Sequence, residues 1–171
     1  ERPKELFLDN LSVNLLSTAL KSEISVDTAT KLNVNKNFSF ESCGLRGKGF
    51  IVTKKQVDQW ILEDPKNQEV LKPMIDGKNL IYPWEELDWV IDFQGMNIEE
   101  ATNYQSPFER VRIAVKPERD KNRRDSRKKH WWRFGEYAPK MRQAISKLSC
   151  YFAIPKIAKY IVFSPVDVSI L

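Results

Sequence analysis

Histidine, cysteine and glycine are scarce in this chain of 171 residues, and each scarcity excludes a class of chemistry. One histidine, His130, and two widely separated cysteines, Cys43 and Cys150, cannot furnish an ordinary zinc site. The cysteines read most simply as reduced thiols of a cytoplasmic protein, with a disulfide as the alternative. Gly44, Gly47 and Gly49 lie close together, yet fit neither dinucleotide-binding nor Walker phosphate-loop spacing. No serine sits in the Gly-x-Ser-x-Gly elbow of a hydrolase nucleophile. Long apolar runs are missing too, since nothing approaches the roughly 20 residues that span a bilayer. The opening ERPKELFLDNL lacks the charged, apolar and cleavable regions of a secretory signal. The chain starts without methionine and ends on the apolar VDVSIL, so it reads as a piece of a longer protein, and these absences do not describe the whole.

What the chain does have is a core and an uneven charge. A hydrophobic content of 42% with 11% aromatics is that of a folded unit, either one domain or two small lobes sharing an interface. Residues 1–108 hold 12 Lys and Arg against 17 Asp and Glu. Residues 109–133 hold 11 against 4, and residues 134–171 hold 5 against 2. The net charge of +5 therefore belongs to the C-terminal third, and a concentrated basic region is the footprint of a polyanion partner. This predicts an acidic α+β lobe over 1–108 and a basic helix–strand lobe over 109–171, together one functional domain.

Local patterns predict the elements. Residues 11–52 alternate apolar and polar positions, as short strands do. Phe38–Phe40 and Phe50–Val52 flank the turn-rich CGLRGKG, predicting a hairpin whose loop presents Arg46 and Lys48. Thr53 and Gln56 have capping-box spacing ahead of a helix that puts Val57, Trp60 and Ile61 on one face, and Pro65 stops it. Asp76-Gly77 marks a turn, and Ile81-Tyr82 and Trp89–Phe93 read as strands. Asn97 caps a further helix with Glu99 and Glu100 at its positive end. Residues 107–115 continue that helix or begin another, limited by Pro117. Met141, Ala144, Ile145 and Leu148 predict a helix over 138–148, and strands near 150–154 and 159–163 follow. The fold class is mixed α+β, without repeats or long linkers.

The chemistry concentrates in residues 115–135, VKPERDKNRRDSRKKHWWRFG. Its arginines and lysines can neutralise several phosphates, arginine can read guanine edges and asparagine can read adenine. The candidates for DNA contact are Arg119, Lys121, Asn122, Arg123, Arg124, Arg127, Lys128 and Lys129, with Arg46 and Lys48 as secondary ones. The three interspersed acids mark a folded segment, or one that folds on DNA, rather than a polybasic tail. The bland alternative is a solvated charged face. Trp131, Trp132 and Phe134 could stack on bases, but bulky aromatics beside an amphipathic helix favour a core place for at least one tryptophan. His130, beside a tryptophan, reads as structural. Asp88, Asp92, Glu99 and Glu100 could gather around magnesium for phosphodiester cleavage, although a helix first turn and strand ends explain them as well.

The order CGLRGKGFIVT, PMIDGKNLI, WVIDFQGMNIEEA, PFERVRIAVKPERDKNRRDSRKKHWWRFG, APKMRQAISKL and YFAIPKIAKYIVF resembles the target-recognition region of MmeI-like enzymes. These are single-chain restriction–modification proteins of the type IIG/IIL group and related adenine-specific DNA methyltransferases. The resemblance spans roughly residues 38–163, and VKPERDKN leading into WWRFG is its most specific block. It implies a recognition domain docking in the DNA major groove, behind a methyltransferase domain that uses S-adenosylmethionine and an Asn-Pro-Pro-Tyr motif. Neither that motif nor a cofactor loop occurs here, so the resemblance implies the reader without the catalyst. Carried over by position, Arg119, Lys121, Arg123, Arg124, Arg127 and Lys128 face DNA, and Lys156 and Lys159 in IPKIAKY form a second contact strip. The expectation is thus a DNA-recognition module of a larger prokaryotic, cytoplasmic enzyme, partnered by duplex DNA and by the methyltransferase domain of the same chain, without cofactor or membrane attachment of its own. A magnesium-dependent nuclease and a protein-interaction scaffold are the alternatives.

Overall fold

The computed structural model of the chain describes residues 5–14, 16, 20, 29–30, 32–82 and 87–171. Their contacts divide the chain into two units, Glu1–Ser39 and Phe40–Leu171. In the first unit β1 (Leu6–Leu8) pairs antiparallel with β2 (Leu11–Val13), setting Leu6 opposite Val13. Asp9 and Asn10 form the two-residue link with φ of 50° and 65°. Tight hairpins need left-handed backbone at both positions, and Asp and Asn reach it more readily than most side chains. The short strands expected at residues 15, 17–19, 21–28 and 31 lie outside the described residues.

The second unit is built on β3 (Ile51–Val52), β4 (Leu71–Met74) and β5 (Asp88–Ile91), an antiparallel sheet in the order β3-β5-β4. Val90 and Ile91 point to opposite faces of the central strand and both are fully buried, so the sheet is covered on both sides. Between β3 and β4 runs α1 (Lys54–Glu63), started by the predicted box: the Thr53 hydroxyl accepts from Gln56 N–H, and the Gln56 side chain accepts from Thr53 N–H. Val57 is buried, and Trp60 and Ile61 pack against the core. A 3-10 turn, Pro65–Glu69, follows, and the Asn67 amide donates to Trp60 O at 2.8 Å, closing the helix end.

Asn97 and Glu100 form a second capping box, at the start of α2 (Ile98–Thr102). After it come α3 (Gln105–Ala114), α4 (Lys116–Asp120), α5 (Asp125–Lys129) and α6 (Pro139–Ile145), then a hairpin of β6 (Cys150–Ala153) and β7 (Ser164–Asp167). The fold is mixed α+β, as the sequence pattern predicts. The change of charge at residue 108 falls inside α3, where Pro107 and Val111 are both buried. Trp131 and Trp132 are buried in the same cluster as Phe93 and Tyr104, and Trp132 Nε1 donates to Met96 O at 3.0 Å. Both tryptophans therefore serve the core rather than base stacking.

Four local expectations need correction. Residues 38–40 are not a strand of the expected hairpin: Gly44 instead pairs with Glu136 in an isolated antiparallel bridge, and Ile51–Val52 pair with β5. Ile81 and Tyr82 lie in a turn, their N–H groups both donating to Lys78 O at 3.0 Å. The stripe Met141, Ala144, Ile145, Leu148 has no buried member; Leu148 is 49% exposed and lies beyond the end of α6. The last strand is 164–167 rather than 159–163, because Val166 is the buried residue that pairs with Tyr151.

Gly49 sits where a helix and a turn press together. A Cβ there would lie 2.6 Å from Val115 Cγ2 and 2.9 Å from Ala114 Cβ, at the end of α3. Overpacking of this kind typically costs about 1–3 kcal/mol. Gly49→Ala is expected to lower the denaturant midpoint accordingly; an unchanged midpoint would show that the turn yields freely.

Candidate nucleic-acid interface

Residues 115–135 are fastened to the core at both ends. Val115 is buried at the start, and Trp131, Trp132 and Phe134 are buried at the finish. Arg133 adds a polar anchor: its Nε and Nη2 donate to Met96 O at 2.9 and 2.7 Å, and Nη2 also reaches Gly95 O. Between the anchors, α4, a turn and α5 hold Lys121, Arg123, Arg124, Lys128 and Lys129 exposed to solvent. Lys128 stands 3.9 Å from Asp125, whereas Lys121, Arg123, Arg124 and Lys129 form no ion pair among the described residues. Asn122, a candidate reader of adenine, is half-buried, and its Oδ1 accepts the Arg124 N–H at 3.0 Å. That bond turns the chain between the helices and occupies the amide oxygen.

Arg119 departs from its expected place at DNA. It is 2% exposed, on the inner face of α4, and its Nη2 donates to Leu45 O at 2.9 Å. Its guanidinium lies 5.9 Å from the Phe50 ring centroid. Burial lowers its pKa from the usual arginine value, and the nearby positive charge of Arg127 adds to that. The side chain thus joins α4 to the 44–47 segment, while charge density alone had counted it with its exposed neighbours.

Arg46 and Arg127 converge on a residue that sequence reasoning passed over. Glu136 accepts from Arg46 Nε and Nη2 at 3.1 and 3.0 Å, a two-pronged contact, and lies 3.5 Å from Arg127. Hydrogen bonding to Arg46 holds the Glu136 carboxyl below its usual pKa, with the charges of Arg127 and Arg124 acting the same way. Arg46 takes left-handed backbone, φ 50°, against Gly135, where a Cβ would lie 2.6 Å from Arg46 Cβ. Glycine is therefore required at the end of the WWRFG block. The field of Glu136 and Arg46 also reaches Lys156, which is exposed and pairs with Glu41 at 2.6 Å. So Arg46, Arg124, Arg127 and Lys156 share one electrostatic neighbourhood. Lys48 is exposed at the start of the 48–50 turn, and Lys159, exposed, lies over the Tyr160 ring.

Two of the acids near residue 90, Asp92 and Glu100, have structural partners. Asp92 is buried, accepts from Gln94 N–H, and pairs with Arg142 at 2.7 Å. Glu100 closes the α2 capping box. Among the described residues no three His, Cys, Asp or Glu side chains gather as a metal site requires. Cys43 and Cys150 are both free thiols, and burial pushes the Cys43 thiol up from its usual range. No described helix is long and apolar enough to cross a membrane.

No family model matches the sequence, and no curated protein matches it. In structure the chain is similar to part of a restriction–modification enzyme. That structure is the type IIL enzyme MmeI in complex with DNA, matched at a TM-score of 0.58 and 15% identity over 94% of this chain. The chain spans 22% of the MmeI chain, and at that identity the likeness is one of fold.

Proposed function

We propose that this chain is the DNA-recognition part of a larger restriction–modification protein, docking on duplex DNA through the α4–α5 segment. The supporting observation is the group Lys121, Arg123, Arg124 and Lys129, exposed and without ion pairs among the described residues, on a segment anchored in the core at both ends. Exposed cations on an anchored segment can meet phosphates without the segment having to fold first, and counterion release drives the contact. The fold likeness to a restriction–modification enzyme solved with DNA is consistent with that partner. In this reading the chain performs no catalysis. The longer protein supplies a methyltransferase domain that binds S-adenosylmethionine and modifies adenine in a prokaryotic cytoplasm, as the resemblance to type IIG/IIL enzymes implies. Arg46, Lys48, Lys156 and Lys159 are secondary contacts, and Arg119 supports the segment from beneath.

The test is fluorescence anisotropy with labelled duplexes across a salt series. Affinity is expected to fall steeply with salt, with a slope of about −0.9 per phosphate contact, and to favour some sequences over others. Binding that ignores salt would remove the reading.

One observation favours a second surface of different character. Phe152 in β6 and Ile154, Ile157, Tyr160, Ile161 and Phe163 between β6 and β7 are all exposed, Ile157 by 93%. Exposed apolar side chains this dense, interrupted by Lys156 and Lys159, suit a protein contact, and the methyltransferase domain of the same protein is the proposed occupant. A photo-crosslinker placed at Ile157 in the longer protein is expected to capture that domain; capture of DNA instead would assign the strip to the nucleic-acid face.

A further inference from the structure

Beside α5 lies a cavity of about 170 Å³ whose lining includes Arg119, Ser126, Arg127, His130, Arg133 and Tyr137. Three arginines and a histidine face it, and no carboxylate does. Glu136, which pairs with Arg127 of the lining, is already bound by both prongs of Arg46. Arg127 pairs with it at 3.5 Å but makes no side-chain hydrogen bond among the described residues, so its N–H donors remain open to a further acceptor. Arg119 is buried, and its Nε has no hydrogen-bond partner. Ser126 and Tyr137, both hydroxyl-bearing, complete the polar part of the lining. A buried guanidinium N–H without an acceptor is unfavourable, and three arginines share few counter-charges here, so an oxyanion entering the cavity would supply both acceptor and charge. Arg127, His130 and Arg133 are half-buried, which leaves the cavity open to solvent on their side.

The geometry points to a phosphate-type oxyanion site in this cavity, with Arg127 as the principal ligand and Arg119 as the charge beneath it. This rests on the DNA reading only for the source of the phosphate. A backbone phosphodiester held here would sit against α5, which follows the exposed Arg123 and Arg124 in the chain, so the cavity would fix the register of the duplex while those cations supply attraction. The guanidinium fork suits two phosphate oxygens at once, which is why arginine rather than lysine belongs at position 127.

The experiment titrates the full chain with inorganic phosphate against chloride at equal ionic strength, following thermal unfolding, and repeats it on Arg127→Gln and Arg127→Lys. The expected result is saturable stabilisation by phosphate alone, weakened about tenfold or more in Arg127→Gln and partly kept in Arg127→Lys. No difference between phosphate and chloride in the wild-type chain overturns the site, and does so even if the variants fail to fold. A second arm identifies the source through competition with duplex DNA. Phosphate that displaces DNA from the wild type but not from Arg127→Gln supports the site with the DNA backbone as ligand. Saturable phosphate binding with no DNA binding supports a free-phosphate site and removes the DNA reading. Salt-dependent DNA binding with no phosphate effect overturns the cavity site and leaves the DNA reading standing.

Discussion

Arg142→Met is expected to destabilise the protein by about 3–5 kcal/mol, the usual result of stranding one member of a buried ion pair. Asp92 is 2% exposed, and Arg142 Nη1 meets its Oδ2 at 2.7 Å. The same guanidinium donates through Nε to Tyr137 O at 2.9 Å and lies 5.0 Å from the Tyr137 ring. One side chain therefore ties α6 to the strand end at Asp92 and to the loop that follows Phe134. For a chain of 171 residues the loss corresponds to a fall in melting temperature of about 10–15 °C. Asp92→Asn within the Arg142→Met background is expected to recover part of it, because the stranded charge is gone while Gln94 N–H still has an acceptor. A single-variant loss below about 1 kcal/mol would mean that water reaches the carboxylate and that α6 is held otherwise.

That pair explains why α6 could be seen in the sequence but not understood from it. Its apolar stripe suggested a helix packed on a core, yet none of its residues is buried. What holds it is a polar link to a residue 50 positions away, and local periodicity has no access to such a partner. The two capping boxes at Thr53 and Asn97 were legible because every atom involved lies within four residues. The strand ending at Ile91 was legible because a run of apolar residues bounded by turns has few alternatives. The hairpin proposed across CGLRGKG failed for the opposite reason. Its middle is captured by Glu136 and Arg119, 90 and 74 residues away along the chain, and a contact at that range outweighs a good turn sequence. The Asp9-Asn10 hairpin carried a readable turn signal, but three-residue strands are too short to stand out in an alternating pattern.

The candidate site divides along the same line. Basic density located the segment, but density is a property of composition and cannot distinguish an exposed arginine from one folded inward. Arg119 shares α4 with Lys116 and Glu118, and only the packing of that helix against Phe50 and Leu45 decides that it points in. Asn122 likewise reads as a base-contact residue until its oxygen is found holding the turn. Glu136 and Tyr137 gave no signal, since their significance lies in what surrounds them.

Neutralising Arg123, Arg124 and Lys129 together to glutamine is expected to weaken duplex binding about 100-fold near 0.15 M salt and to flatten the salt slope by about 2.7. The three are exposed and unpaired, so the fold should be unaffected, within about 0.5 kcal/mol. The size follows from counterion release: three lost phosphate contacts at about 0.9 each reduce the slope, and the affinity loss is that change read at working salt. Loss of net charge alone could mimic the effect, so the comparison that decides is Lys54→Gln with Lys55→Gln, two exposed lysines on α1. If binding depends on where the charge sits, this pair leaves the slope unchanged, because α1 belongs to the acidic stretch of the chain. If both sets lower affinity in proportion to the charge removed, the α4–α5 segment is one basic surface among several and the docking face must be sought elsewhere. A loss that is uniform across DNA sequences would assign Arg123, Arg124 and Lys129 to phosphates; a loss confined to one sequence would make at least one of them a reader of bases.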